Sequence, residues 1–180
     1  MRLVEVRKLP MSHLRTMQGV NVARTDEWYT DQDIVDKCLD ILQAPAGSTI
    51  LCPFDGEQSK FVKTLKESGF KVIYGITDFI ESKTDYDCDF IVTNPPFSLK
   101  DQIIERVFKY GKKTVLVLPL DTMGGKARRK LFKEYEFPQI YVPEGRVSYY
   151  DKSWVKRTQS NFHSVIMTFN HNSESKLDWE

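Results

Sequence analysis

The chain has 180 residues, of which 41% are hydrophobic and 28% are charged. This length and composition are typical of one soluble globular domain with a sizeable core. Its 26 basic and 25 acidic residues leave a formal charge of +1, which excludes a strongly basic chain that binds nucleic acid over its whole surface. A nucleic-acid partner would have to bind a local patch.

The cysteine pattern excludes two further classes of protein. Cys38, Cys52 and Cys88 are an odd number and include no closely spaced pair, which argues against a disulfide framework and against a zinc site. We therefore expect a reduced, cytoplasmic protein without a metal. The sequence shows neither an apolar leader nor an apolar run of membrane length, so we expect no association with membranes.

Three segments are predicted along the chain. Residues 1–25 are polar, with Pro10 and Gly19 as breakers, and are expected to form an N-terminal arm. Residues 26–170 alternate strand-like and helix-like patterns, and residues 171–180 form a polar tail. The alternation predicts one α/β domain with a mostly parallel sheet covered by helices on both faces.

The first helix of the domain is predicted from about Asp31 to Gln43, because apolar residues recur there at helical spacing. Thr30 and Asp33 match a capping box at its start.

A strand, turn, helix and strand unit follows. The strand begins at Thr49 and runs into a turn around Gly56, the helix ends at Gly69, and a second strand runs from Lys71 to Ile76. Such a unit opens a doubly wound sheet, which binds ligands at the carboxyl edge of its strands. The turn is a weak match to a phosphate-binding loop, because it has one glycine where dinucleotide-binding folds have three.

The next strand, from Phe90 to Thr93, stops at Asn94-Pro95-Pro96-Phe97. The two prolines restrict the backbone and make a rigid loop. The side-chain oxygen of Asn94 and the carbonyl of Pro95 could each accept a hydrogen bond from an exocyclic amine, while Phe97 stacks on the ring that bears it. This arrangement would raise the nucleophilicity of the amine, although two prolines after a strand also suit an ordinary turn.

The remaining elements are predicted in chain order. They are a helix opened by a Ser98–Asp101 capping box and closed by Gly111, a strand over 113–118, a short helix to about Tyr135, and strands over 140–142 and 163–169.

Two clusters of basic residues are candidate contacts for nucleic-acid phosphates. The first is in the glycine-containing segment before the short helix, and the second is interleaved with aromatic residues in the long loop before the last strand. An ordinary solvated surface is the alternative for both. The first cluster contains Lys126, Arg128, Arg129 and Lys130. The second contains Arg146, Lys152, Lys156 and Arg157, interleaved with Tyr149, Tyr150 and Trp154.

These features, in this order, resemble the small adenine-N6 methyltransferases of phages and restriction-modification systems. The resemblance rests on the aromatic-Thr entry at Tyr29, the Cys-Pro-Phe-Asp-Gly turn at Cys52, the Asp-Phe pair at Asp78 and the Asn-Pro-Pro-Phe loop at Asn94. It covers about residues 26–170. It implies a Rossmann-like class I methyltransferase fold with a seven-stranded sheet whose last strand is antiparallel, S-adenosyl-L-methionine as cofactor, and double-stranded DNA as substrate, from which the target base is flipped.

The resemblance also implies roles for individual residues. Asn94, Pro95, Pro96 and Phe97 would be catalytic, with Asn94 also beside the cofactor. The implied cofactor contacts are Tyr29 and Thr30 closing the site, Cys52, Pro53, Asp55 and Gly56 around the methionine end, Asp78 at the adenine amine and Phe79 stacked on the adenine ring.

The chain departs from the family pattern at three places. Cys52 replaces the usual acid, Gln58 replaces a second glycine, and no acid follows the second strand at Tyr74 and Gly75 to grip the ribose. Loss of a charge-assisted hydrogen bond of that kind costs about 1.5–3 kcal/mol. Three readings therefore stay open beside DNA methylation: methylation of an RNA base, methylation of a glutamine amide, and a non-catalytic nucleic-acid-binding module with this fold.

Overall fold

The computed structural model describes residues 29–76, 78–82, 85–150, 155–157 and 163–171. For Tyr29, Lys156 and Arg157 it describes the backbone only. The predicted N-terminal arm and all of the predicted tail except His171 lie outside these ranges. No helix within them is long and apolar enough to cross a membrane.

The elements alternate between strand and helix through most of the described chain. The strands are β1 (Tyr29–Thr30), β2 (Thr49–Cys52), β3 (Lys71–Tyr74), β4 (Phe90–Thr93), β5 (Thr114–Pro119), β6 (Gln139–Tyr141), β7 (Tyr149–Tyr150), β8 (Lys156–Arg157) and β9 (Ser164–Phe169). The helices are α1 (Gln32–Leu42), α2 (Lys60–Glu67), α3 (Lys100–Tyr110) and α4 (Lys126–Glu134).

The main sheet has the order β3-β2-β4-β5-β9-β6. Strands β3, β2, β4 and β5 are mutually parallel, and β9 runs antiparallel between β5 and β6. The predicted α/β class, the mostly parallel sheet and the antiparallel last strand are therefore confirmed.

The sheet has six strands within the described ranges rather than the seven that the family resemblance implied. Beyond β3 the chain forms turns, and side chains of α3 hold them in place. Arg106 donates to the carbonyl of Phe79 at 3.1 Å, and the Tyr110 hydroxyl donates to the carbonyl of Tyr86 at 2.7 Å. These two carbonyls bond to side chains of α3, and the described residues between β3 and β4 add no strand to the edge of β3.

Alternate residues of the central strands supply two separate cores. In β5, Val115 and Val117 pack with α1 and α2 on one face, whereas Leu116 and Leu118 pack with α3 and α4 on the other. All four are fully buried. Burial on both faces explains why the strand is apolar throughout instead of alternating with polar residues.

Both predicted capping boxes are wrong. The N-cap of α1 is Asp31, whose carboxylate accepts from the Gln32 N–H at 2.9 Å, while Thr30 belongs to β1. At α3 a 3₁₀ turn over Phe97–Leu99 precedes the helix, and Leu99 caps it without a side-chain hydrogen bond. In both cases the N-cap lies one residue later in the chain than the sequence predicts.

A second, smaller sheet combines β1, which precedes the strands of the main sheet, with β7 and β8, which lie in the chain between β6 and β9. Its order is β1-β7-β8, with antiparallel pairing of Thr30 with Tyr149 and of Tyr150 with Lys156. This sheet joins the start of the domain to the long loop before β9.

Replacement of Asp31 by alanine tests the cap of α1. The change removes the cap and the 3.1 Å ion pair with the half-buried Lys60, so the free energy of unfolding should fall by about 1–2 kcal/mol. Asp33→Ala, at the exposed position that the sequence assigned to the capping box, is the matched control and should change stability by less than about 0.5 kcal/mol. Urea unfolding measures both, and equal losses would contradict the assignment of Asp31 as N-cap.

Candidate active site

Two neighbouring parallel strands, β2 and β4, bring the candidate site residues to one edge of the sheet. β2 leads into residues 53–58, here called the Pro53 turn, and β4 leads into residues 94–97, here called the Asn94 loop. From β2 the chain proceeds to β3 on one side, while β4 and β5 lie on the other. The crevice between the carboxyl ends of β2 and β4 is thus the topological switch point, where open α/β sheets bind ligands.

Asp55 links the Pro53 turn to the end of β4. Its Oδ2 atom accepts a 2.5 Å hydrogen bond from the Thr93 hydroxyl, and its Oδ1 atom accepts a 2.5 Å hydrogen bond from the Ser59 hydroxyl. Ser59 is also the N-cap of α2 and accepts from the Phe61 N–H at 3.2 Å. One carboxylate therefore joins a strand end, a turn and a helix start.

Burial dominates the electrostatics of Asp55. The side chain is 9% exposed, and desolvation raises the pKa of its carboxyl from 3.8 to about 6, although the hydrogen bonds from Ser59 and Thr93 act in the opposite direction. The charged form is thus disfavoured in the fold. Neighbouring Cys52 is fully buried as well, and burial followed by the charge of Asp55 raises the pKa of its thiol.

The Asn94 loop is half-enclosed by protein. Pro95 is buried, whereas Asn94, Pro96 and Phe97 are half-buried, and the Oδ1 atom of Asn94 is itself buried. The Leu99 N–H donates to the carbonyl of Pro96 at 3.1 Å, which fixes the exit of the loop into the 3₁₀ turn. The loop therefore holds an amide oxygen, a proline carbonyl and an aromatic ring in one rigid segment, as the sequence predicts.

The small sheet packs against this loop. The rings of Phe97 and Tyr149 meet edge to face with centroids 6.5 Å apart, and the Tyr149 hydroxyl donates to Ser164 at the start of β9 at 2.5 Å. Opposite Tyr149 in the sheet lies Thr30, which is 5% exposed. Its Oγ1 atom has no hydrogen-bond partner within the part of the chain that the structure describes.

A cluster of three side chains connects the small sheet to the start of α2, which follows the Pro53 turn. Lys60, the first residue of α2, pairs with Asp31 at 3.1 Å and lies over the ring of Tyr150 at 4.4 Å. The Tyr150 hydroxyl approaches the same Asp31 oxygen at 3.5 Å. The small sheet is thereby held both at the Asn94 loop and at the start of α2.

Asp78 and Phe79, the predicted contacts to the adenine of the cofactor, lie in different environments. Asp78 is exposed and accepts a hydrogen bond from the Tyr86 hydroxyl at 2.8 Å. Phe79 is 1% exposed, stacked on Tyr110 at 5.9 Å and met edge-on by Phe54 at 5.5 Å. The predicted stacking on Phe79 does not fit this conformation, because both rings cover it and a ligand could reach it only if the side chain left the core.

The other predicted cofactor residues remain at the carboxyl edge. Cys52 and Pro53 are buried, and Gly56 is half-buried. Tyr74 stands at the end of β3, where the family resemblance implied an acid. Lys66 lies over its half-buried ring at 4.4 Å and donates to its hydroxyl at 3.1 Å.

Two of the predicted nucleic-acid contacts, Tyr149 and Arg128, have partners inside the protein. Tyr149 is 1% exposed and packs on Phe97, so it supports the Asn94 loop instead of contacting a ligand. The Arg128 guanidinium pairs with Asp101 at 2.6 Å and donates to the Gly124 carbonyl at 2.7 Å, so it fixes α4 to α3.

The other members of the two basic clusters are unevenly described. Lys126 and Arg146 are exposed, and Arg129 is half-buried. Lys156 and Arg157 form β8, where only the backbone is described, and Trp154 lies outside the described residues.

The hydrogen-bond partners of Asp55, Thr93 and Ser59, were not predicted from the sequence. Thr93 immediately precedes Asn94, and Asp55 follows the neighbouring strand by three residues. Since the carboxyl ends of parallel strands meet at one edge of a sheet, this adjacency was a usable signal. Ser59 carried a further signal, because serine before a helix is a preferred N-cap.

Solved structures with similar folds identify the architecture. The N-methyltransferase NodS from Bradyrhizobium japonicum WM9 matches with a TM-score of 0.53 at 13% identity, over 77% of this chain and 94% of that chain. A Pyrococcus horikoshii protein described as a candidate RNA methyltransferase matches with a TM-score of 0.52 at 15% identity, over 87% and 91%. The 23S rRNA methyltransferase ErmE matches with a TM-score of 0.50 at 12% identity, over 85% and 73%.

No protein-family model matches the sequence, and no curated protein matches it. At identities of 12–15% the structural likenesses establish the fold alone. The chain has the Rossmann-like fold of class I methyltransferases, and its candidate site lies at the switch point of that sheet.

The raised pKa of Asp55 predicts a pH-dependent contribution to stability. The folded protein holds this proton more tightly than the unfolded chain, so the contribution is fully present below about pH 4 and is lost as the pH rises through about 6. Relative to Asp55→Asn, which cannot titrate, the wild type should lose about 2–3 kcal/mol of unfolding free energy between about pH 4 and pH 7. Urea unfolding of both proteins at several pH values checks this, and parallel pH profiles would contradict it.

Proposed function

We propose that this protein is an S-adenosylmethionine-dependent methyltransferase that transfers a methyl group to the exocyclic N6 atom of adenine in DNA. The observation that carries the proposal is the position of the Asn94 loop. It lies at the carboxyl end of β4, next to the Pro53 turn and at the switch point of a methyltransferase fold. Acceptors for an amine and a turn suited to a cofactor therefore share one crevice.

The residues present fit a cofactor in this crevice. Thr30 has a buried hydroxyl without a partner in the described part of the chain, and such an atom costs about 1–3 kcal/mol if nothing bonds to it. A polar group of a ligand would satisfy it. On the other side of the Pro53 turn, the exposed Asp78 carboxylate keeps an oxygen beyond the one bonded to Tyr86 and could accept from an adenine amine.

The reaction needs little from the protein besides positioning and hydrogen bonding. S-adenosylmethionine would supply an activated methyl group on a sulfonium and leave as the neutral thioether, and the methylated nitrogen would lose one proton to water. Asn94 and the carbonyl of Pro95 would accept the two N–H bonds of the adenine amine, which localises the nitrogen lone pair toward the methyl group. Phe97 would hold the base by stacking, with its edge contact to Tyr149 limiting the movement of the ring.

A base inside a duplex cannot reach the Asn94 loop, so the enzyme would have to flip it at a cost of a few kcal/mol. Contacts to the phosphate backbone would offset that cost. Of the basic residues near the predicted clusters, Lys126 and Lys130 on α4 are both exposed. α4 packs on the same face of the sheet as α3, which begins directly after the Asn94 loop.

RNA is a second candidate substrate. Two of the structures with similar folds are described as a 23S rRNA methyltransferase and a candidate RNA methyltransferase. The two substrates are distinguished by incubating the protein with duplex DNA, single-stranded DNA and RNA of matched sequence and analysing the nucleosides by mass. We expect N6-methyladenine in DNA. Methylated adenine in RNA alone would show that RNA, not DNA, is the substrate.

Replacement of Asn94 tests the chemical step. Asn94→Ala should lower the rate of methyl transfer by about 10²–10³ or more while changing the cofactor dissociation constant little, because the amide acts mainly in the transition state. Single-turnover methylation and calorimetric titration with S-adenosylmethionine measure the two quantities.

Asn94→Asp is the matched control, since its carboxylate keeps an acceptor at the same place, and partial activity is expected. If Asn94→Ala methylates DNA as fast as the wild type, the Asn94 loop is only a turn. If the wild type binds no S-adenosylmethionine at millimolar concentration, the cofactor assignment fails.

The salt dependence of DNA binding tests the proposed contact of α4. Replacing Lys126 and Lys130 together by alanine should reduce the slope of log affinity against log salt by about two phosphate contacts. Lys63→Ala with Lys71→Ala removes the same charge from exposed positions on α2 and the edge strand β3, and should leave the slope nearly unchanged. Equal slopes for both double variants would show that the DNA-binding surface does not include Lys126 and Lys130 of α4.

A further inference from the structure

We propose that Asp55 is a positioning residue that holds the Asn94 loop in place through Thr93. Its predicted role was to line the methionine end of the cofactor. The kinetic consequence of this inference rests on the proposed methyltransferase function, whereas the structural coupling itself does not.

The carboxylate of Asp55 is already engaged inside the protein. Each of its oxygens accepts a 2.5 Å hydrogen bond from a hydroxyl, one from Ser59 and one from Thr93, and the side chain is 9% exposed. Thr93 is fully buried. Burial of the side chain restricts the access of a ligand to this carboxylate, and both oxygens already hold internal hydroxyl groups in place.

The bond to Thr93 lies where backbone pairing between β2 and β4 has ended. The registered pairs of these strands are Ile50 with Phe90 and Leu51 with Ile91. Thr93 is two residues beyond the last pair, and the residue that would come opposite it in this register is Pro53, which follows β2 and has no N–H to donate. The side-chain hydrogen bond from Thr93 to Asp55 thus connects the Pro53 turn to the residue that precedes Asn94, beyond the end of the backbone ladder.

On its other side the Pro53 turn is tied to the residues that follow β3. The Gly75 N–H donates to the Asp55 carbonyl at 3.0 Å, and the Ile76 N–H donates to the Pro53 carbonyl at 2.8 Å. Ser59 connects the same carboxylate to the start of α2. A shift of the turn is therefore transmitted to Thr93, and from there to Asn94 through a single peptide bond.

Thr93→Val removes the hydroxyl with little change in volume and is the test variant. Thr93→Ser keeps the hydroxyl and should restore the wild-type behaviour. Thr114→Val is the matched control, because Thr114 is also fully buried in the same sheet and donates one hydrogen bond, to the Lys112 carbonyl at 2.9 Å, at the opposite edge.

The first measurement is hydrogen exchange of the Leu99 amide, which closes the Asn94 loop on the Pro96 carbonyl. Thr93→Val should speed this exchange by about tenfold relative to Thr114→Val, and Asp55→Asn should act in the same direction. Should Thr93→Val fail to fold, Thr93→Ala is compared in its place. Equal exchange in the Thr93 and Thr114 variants would overturn the proposal.

The second measurement separates catalysis from cofactor binding. Thr93→Val should lower kcat by about tenfold or more, since misplacement of a reacting group by a fraction of an ångström is costly, and should leave the dissociation constant for S-adenosylmethionine within about threefold. A raised dissociation constant with an unchanged kcat would show that Asp55 serves the cofactor and would overturn the positioning role. If the wild type transfers no methyl group, the proposed function falls, and the Leu99 exchange alone supports or overturns the coupling.

Discussion

Parallel pairing of β2 with β4 is the interaction on which the candidate site depends. Because these strands are buried on both faces, by α1 and α2 on one side and by α3 and α4 on the other, their register is set by packing as well as by hydrogen bonds. Their carboxyl ends must then lie side by side. The Pro53 turn and the Asn94 loop meet there, and the carboxylate of Asp55 continues the connection after the backbone ladder has stopped.

Helix α3 connects the two halves of the crevice. It begins one 3₁₀ turn after the Asn94 loop, and at its other end Arg106 and Tyr110 hold the segment that carries Asp78. A net hydrogen bond of this type contributes only about 1 kcal/mol, so no single one secures the segment. The stacking of the Arg106 guanidinium on the Tyr110 ring at 4.8 Å adds to them. A rigid helix thereby sets the distance between the amine acceptors and the proposed adenine contact.

Residue type predicted the chemistry of several side chains but not their direction. Aromatic side chains such as Tyr149 and Phe79 can stack on bases, and a cation such as Arg128 can bind phosphates. In the fold, however, each of these side chains contacts other residues of the protein. Whether a tyrosine in a loop is 1% exposed or free depends on which strand it pairs with, and Tyr149 pairs with Thr30, far away in sequence. Local patterns contain no information about such long-range pairs.

The sequence by itself determined the α/β class, the succession of most elements and the rigidity of the Asn94 loop, since these follow from hydrophobic periodicity and from the restricted backbone of proline. It also determined that Asp55 and Asn94 each follow a strand. Only the tertiary structure decided that the sheet has six described strands, that Asp31 rather than Thr30 caps α1, and that Thr93 bonds to Asp55. These depend on strand register and on burial, which arise from contacts between residues distant in the chain and are set only when the whole sheet has formed.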